Sequence, residues 1–180
     1  MLPPPGWVRG GGRMTVAGTT GARAIALALA GLIASGQAGQ ATPAAFGSGL
    51  AGWSFTREML QDGSVDCRAT LQTDGRAPAM GFVATPDDSG VGYFTTDGPG
   101  LAGVWADSQM TAAGATDGLT VTGDGHRLMF NGIDAVRMED IARAGGFTYL
   151  LPGVEGGSNR VDLGPRAEEA LKMLWDCTDG

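Results

Sequence analysis

This chain has little of what most enzymes use. Its 180 residues include one histidine, His126, one lysine, Lys172, and two cysteines, Cys67 and Cys177. A lone histidine, with no second histidine or reactive thiol, leaves zinc ligation and Cys–His catalysis without partners. No G-x-S-x-G occurs, so a nucleophile elbow is excluded. The acid spacing of an EF-hand loop is also missing, and with it the case for a specific calcium site. From these absences we expect no catalytic set, no cofactor and no bound metal.

Glycine, by contrast, is abundant, at 32 residues. It produces two matches to G-x-G-x-x-G, Gly47–Gly52 and Gly98–Gly103. A dinucleotide fingerprint needs a strand before it and a helix after it, so that phosphate meets the helix N-terminus. Strand-like Trp53-Ser54-Phe55-Thr56 follows the first match, and Val104-Trp105 follows the second with no long helix behind it. Chance in a Gly-rich chain accounts for both.

No apolar run is long enough to span a bilayer, which takes about 20 residues. The longest, Ala24–Ala34, has about 11 residues, follows Arg9, Arg13 and Arg23, and precedes the first acidic residue, Glu58. Gly39-Gln40-Ala41 then supplies small residues for cleavage after Ala41, with cleavage after Ala38 as the alternative. Residues 1–41 therefore read as a secretory signal peptide. Met1–Gly12 is a poor n-region, rich in Pro and Gly, which makes Met14 a candidate start and 1–13 a gene-model extension. Neither cysteine lies in a lipobox. The expected location is the periplasm of a Gram-negative bacterium or the medium outside it. In such an oxidising compartment an even cysteine count favours a disulfide, Cys67–Cys177.

Residues 42–49 read as a flexible lead-in, and 50–180 as one secreted β-rich domain, long enough for one core. Beyond residue 41 there are nine basic and nineteen acidic side chains, a net charge of −10. That balance argues against nucleic acid and anionic lipid as partners and fits a basic protein partner. No membrane association is expected once the signal is removed.

The pattern along the domain is that of short strands. Val65–Leu71 alternates, which puts Val65, Cys67, Ala69 and Leu71 on a buried face and Asp66, Arg68 and Thr70 on the wet one. Met80–Thr85 and Val91–Thr95 flank Pro86–Gly90 and read as a hairpin. Leu119–Thr122 and His126–Phe130 read as another, across Gly123-Asp124-Gly125. Asn131-Gly132 signals a two-residue hairpin leading into Ile133–Met138, and the Asp-Gly pairs at 62, 74, 97 and 117 signal further turns. Glu139–Ala144 fits one helical turn, Phe147–Leu151 a strand, and Gly153–Gly164 a loop in which Arg160–Leu163 pairs briefly. The last element is a helix over about 165–176. It has Pro165 at its start, Glu168 and Glu169 in its first turn, and an apolar stripe at Ala167, Ala170, Leu171, Leu174 and Trp175. The fold class expected is α+β, mostly β: an antiparallel meandering sheet, as a curled sandwich or half-barrel, with one C-terminal helix.

Trp105 and Tyr93 are the candidates for an interaction surface, though aromatics in small β proteins more often fill cores. His126 shares a strand face with Leu128 and Phe130 and reads as structural. The acidic pairs Asp87-Asp88 and Glu139-Asp140 read as solvated loop charges, since a glycosidase needs two carboxylates facing each other across a cleft.

The signal peptide, Gly52-Trp53-Ser54-Phe55, Cys67-Arg68-Ala69 on a second strand, and the late strand, short helix and Ala-Leu-rich ending together resemble the invasion-associated locus B group of small exported proteins of Gram-negative bacteria. The resemblance implies a periplasmic location and no established chemistry. The expected function is a non-enzymatic periplasmic binding or accessory protein. The alternatives are an inhibitor of a basic hydrolase such as lysozyme and a carboxylate-based hydrolase.

Overall fold

The computed structural model describes residues 43–47, 49–73, 78–87 and 89–178. The expected signal peptide, the gene-model extension, Asp74-Gly75 and Asp88 lie outside the described residues. Among the described residues ten strands form one antiparallel sheet, and two helices accompany it. The strands are β1 (Ala44–Ala45), β2 (Trp53–Met59), β3 (Val65–Leu71), β4 (Ala79–Ala84), β5 (Gly90–Asp97), β6 (Ala102–Ala112), β7 (Ala115–Asp124), β8 (Arg127–Ile133), β9 (Gly146–Leu150) and β10 (Ser158–Asp162). Helix α1 (Ala135–Arg143) connects β8 to β9, and α2 (Ala167–Thr178) ends the described chain. The order across the sheet is β1-β2-β3-β4-β5-β8-β7-β6-β9-β10, and the sheet does not close. The expected mostly β class, with an antiparallel sheet and a C-terminal helix, is what the chain adopts.

Alternation on β3 divides the two faces. Cys67 and Ala69 are buried, and Val65 and Leu71 pack at the margin of the same core. Across β4 and β5 that inner face continues through Met80 and Phe94, and Phe130 of β8 pairs with Phe94. Phe147 of β9 meets Phe94 at 5.3 Å and Phe130 at 5.1 Å between ring centroids. Strand β9 hydrogen-bonds to β6, so these ring contacts mean that the sheet curls until β9 lies over the inner face of β5 and β8.

Helix α2 closes the other part of the core. Ala167, Ala170, Leu171, Leu174 and Cys177 are buried, and Trp175 meets Phe82 of β4 edge-on at 4.6 Å. Cys177 is bonded to Cys67 with a Cα–Cα distance of 6.3 Å, which ties the helix to β3 across 110 residues of sequence. That disulfide points to an oxidising location outside the cytoplasm. Among the described residues no helix is long and apolar enough to cross a membrane.

Four local readings change. Within 42–49, Ala44–Ala45 pair with Arg57 and Thr56, and Phe46 packs against Phe55 at 5.5 Å, so this part of the lead-in is an edge strand of the domain. Asn131-Gly132 is a bulge and not a turn. Gly92 pairs with Ile133 and Tyr93 with Asn131, leaving Gly132 as the extra residue at φ +76°, a value glycine adopts without strain. The chain after Ile133 is helical from Ala135, because Asp134 caps it by accepting the N–H of Arg137 while Met138, Ile141 and Ala142 turn inward. Finally, Asp117-Gly118 lies inside β7. The β6–β7 turn is Ala113-Gly114, where both residues have positive φ, as a type I′ turn requires.

Candidate functional site

Tyr93 does not belong to a surface. It is 5% exposed, and its ring lies over Gly81, its partner across the β4–β5 ladder. Its hydroxyl donates to Asp66 Oδ1 at 2.7 Å and accepts from Arg68 Nε at 3.0 Å. Arg68 also donates to Asp66 Oδ2 at 3.2 Å. Burial, reinforced by the Asp66 hydrogen bond, pushes the Tyr93 phenol well above its ordinary range. This network explains why Asp66 and Arg68, on the wet face of β3, are only partly exposed.

Trp105 is half-buried against the core and sits at the irregularity where β6 slips against β7. Its carbonyl accepts from the hydroxyl of Ser108, a fully buried residue, at 2.9 Å. These contacts fix Trp105 at the register shift between β6 and β7. Tyr93 and Trp105 therefore stand on strands that are not neighbours, and they do not form one patch.

His126 lies in the β7–β8 turn and is exposed, not at a core edge. Its N–H and that of Arg127 both donate to Asp124 Oδ1, at 2.8 and 2.7 Å, and these bonds hold the Asp124 carboxyl below its ordinary range. Asp87 is bonded to Ser89 and Thr85, which lower its carboxyl to about 2. Glu139 is exposed, and Asp140 pairs with Arg143 at 3.0 Å on the same helix. Of the acidic residues singled out from sequence, Asp87 thus holds a turn and Asp140 pairs locally.

A cleft of about 750 Å³ lies elsewhere. It forms where the curled sheet stays open. On one side are Thr73 and Pro78, flanking the β3–β4 connection, and the end of β5 with the turn after it, Thr96–Pro99 and Leu101. On the other are Tyr149 of β9, the β9–β10 connection at Val154–Gly156, and the edge strand β10. Its described lining carries three carboxylates, Asp97, Glu155 and Asp162, against one guanidinium, Arg160. Apolar floor is supplied by Pro99, Leu101, Val154 and Val161. Glu155 and Asp162 are exposed, and Asp162 also accepts the Gly164 N–H at 2.8 Å.

Sequence reasoning missed this site. Its acids are isolated in the chain at 97, 155 and 162, and only the curl brings them together. The one available signal was the Asp97-Gly98 turn following a strand.

The second G-x-G-x-x-G match, Gly98–Gly103, is the β5–β6 turn and the start of β6, with no helix behind it. Among the described residues no group of three or more His, Cys, Asp or Glu side chains is placed to hold a metal ion. No family model, curated protein or solved structure matches this chain.

Proposed function

We propose that the protein is an exported, non-enzymatic binding protein of the Gram-negative periplasm, and that its cleft receives a basic partner. The observation that carries this reading is the cleft itself: three carboxylates and one guanidinium around an apolar floor. A concave site of this size with a few polar groups over apolar walls suits recognition. Its negative field attracts cationic groups at a distance and orders their approach. The net charge of −10 beyond residue 41 extends that field over the whole domain. The signal-like N-terminus, the disulfide and the resemblance to the invasion-associated locus B group all support export. Inhibition of a basic hydrolase such as lysozyme is the narrowest form of this reading.

A second reading, carboxylate-based hydrolysis, is favoured by the same three acids. A glycosidase, however, needs one acid whose proton is retained near neutrality, usually through burial. Glu155 and Asp162 stand in water, which supports binding over hydrolysis.

The test is capture from periplasmic extract by the domain from residue 42 onward and by its variant Asp97→Asn/Glu155→Gln/Asp162→Asn. The wild-type domain should retain a basic protein that the variant loses, and retention should fade with salt as exposed charges are screened beyond about 8–10 Å. Equal retention by both proteins would sink the proposal. Turnover of a glycan that vanishes in the variant would favour hydrolysis.

A further inference from the structure

The outer face of the sheet carries a second, separate hollow of 240 Å³ that shares no lining residue with the cleft. It is walled by Arg68 of β3, Thr95 of β5, Thr122 and Asp124 of β7, and Arg127 and Met129 of β8. Strand register explains the assembly. Met129 pairs with Thr95 on one side and with Thr122 on the other, so the three stand in one row across β5, β8 and β7. Phe94 and Phe130 point inward next to them, which turns Thr95 and Met129 to the face away from the core.

Thr95 is the informative residue. It is 4% exposed, and its hydroxyl is buried without a hydrogen-bond partner. Buried hydroxyls are nearly always satisfied, and leaving one unmet costs about 1–3 kcal/mol. The hollow it lines also offers guanidinium groups. Arg68 is held in place by Tyr93 and Asp66, with N–H groups beyond those two bonds. The side chain of Arg127 has no ion-pair partner among the described residues.

We infer that this hollow is a seat for a small organic monocarboxylate. A guanidinium matches the planar carboxylate fork, and a carboxylate oxygen also accepts from the Thr95 hydroxyl. Asp124 sets the selectivity. Its Oδ1 is engaged by the N–H groups of His126 and Arg127, and its negative charge stays on the wall. Arg68 is already neutralised by Asp66 and Arg127 stands beside Asp124, so the wall has no net charge. A singly charged acid is held there by directed hydrogen bonds, whereas a doubly charged phosphate brings twice the charge with nothing to balance it. The volume sets the size, since it falls below the roughly 300–1,000 Å³ of pockets that take drug-sized ligands. Acids of a few carbon atoms fit.

The experiment is a proton–nitrogen NMR titration of the disulfide-bonded domain from residue 42 onward. Sodium butyrate is the probe, at ionic strength held constant with sodium chloride. Saturable shifts are expected at the amides of Thr95, Thr122 and Arg127. Arg127→Gln should weaken binding about tenfold or more, the equivalent of one charged hydrogen bond. Thr95→Val keeps the side-chain shape, loses the hydroxyl, and should weaken binding several-fold while the fold stays intact by circular dichroism. Sodium phosphate should compete poorly. An absence of saturable shifts, unchanged affinity in both variants, or phosphate binding as tight as butyrate binding would each overturn the assignment. The cleft variant Asp97→Asn/Glu155→Gln/Asp162→Asn should bind butyrate as wild type does, which separates this site from the one proposed for a basic partner.

Discussion

The ring of Tyr93 fills the volume that a side chain at Gly81 would occupy. A Cβ built on Gly81 would lie 2.0 Å from Tyr93 Cζ and 2.3 Å from its hydroxyl oxygen. The missing side chain on β4 lets the tyrosine on β5 reach over one strand to Asp66 and Arg68 on β3. Three strands are thereby cross-linked on the outer face, where no helix helps them.

Gly81→Ala should therefore destabilise the domain by about 1–3 kcal/mol, the usual range for overpacking. In a Tyr93→Ala background the same substitution should cost far less, because the ring is gone. Urea unfolding of the four proteins in the cycle measures this coupling. Additive effects would show that the ring does not depend on Gly81.

Arg137 ties α1 to the β6–β7 hairpin. Its two Nη groups donate to the carbonyls of Ala112 and Ala115, at 3.0 and 2.8 Å, on either side of the tight Ala113-Gly114 turn, and Asp117 lies against its Nε. Arg137→Gln should remove about 1.5–3 kcal/mol, the range for hydrogen bonds to a charged group. Hydrogen exchange should show the loss concentrated in β6 and β7. Exposed Arg143, paired only within its own helix, serves as a control, and Arg143→Gln should change stability by less than about 1 kcal/mol.

Tyr93 and Asn131-Gly132 mark where sequence patterning stops being informative. Strand β3 and helix α2 were legible because each follows a single period, two or 3.6, against one core face, and the hairpin around Pro86 because turn residues separate two strand-like runs. So was the pairing of Cys67 with Cys177, both on inward faces. Tyr93 was not legible. Its burial on the wet face depends on the partner across the ladder being glycine, and register is not written in either strand alone. Asn131-Gly132 was misread because the backbone conformation that makes a tight hairpin also makes a bulge, and the choice belongs to β5 opposite. The cleft was illegible because its segments meet only when the sheet curls, and the outer hollow because its row of Thr95, Met129 and Thr122 depends on the register of β5, β8 and β7.

Asp87 gives a prediction in pH. Its hydrogen bonds with Ser89 and Thr85 lower its carboxyl from the ordinary 3.8 to about 2. A depressed folded-state value means that the β4–β5 turn gains stability from the ionised form above about pH 4 and loses it as pH falls through about 2. The Ser89 amide resonance should therefore titrate with a midpoint near 2. A midpoint near 3.8 would mean that the turn does not hold the carboxylate. Asp87→Asn should remove this transition, since an amide has no proton to gain.

The disulfide and the proposed export are best tested on one sample. On the chain-entropy model, closing a loop of 110 residues contributes roughly 4–5 kcal/mol, and removing a native bridge from a small secreted domain commonly costs about 2–5. Against a typical total of about 5–15 kcal/mol, Cys67→Ala should leave a marginal protein with α2 released from β3. Cleavage after Ala41 would retain Ala44–Ala45 and Phe46, so strand β1 and its contact with Phe55 should survive processing. Expression of the full gene in a Gram-negative host should yield a periplasmic product whose intact mass begins at Thr42 and is two hydrogens below the reduced value. A mass starting at Gly39 would move cleavage to the alternative site. A full-length, reduced product confined to the cytoplasm would refute export, and with it any partner met in the periplasm.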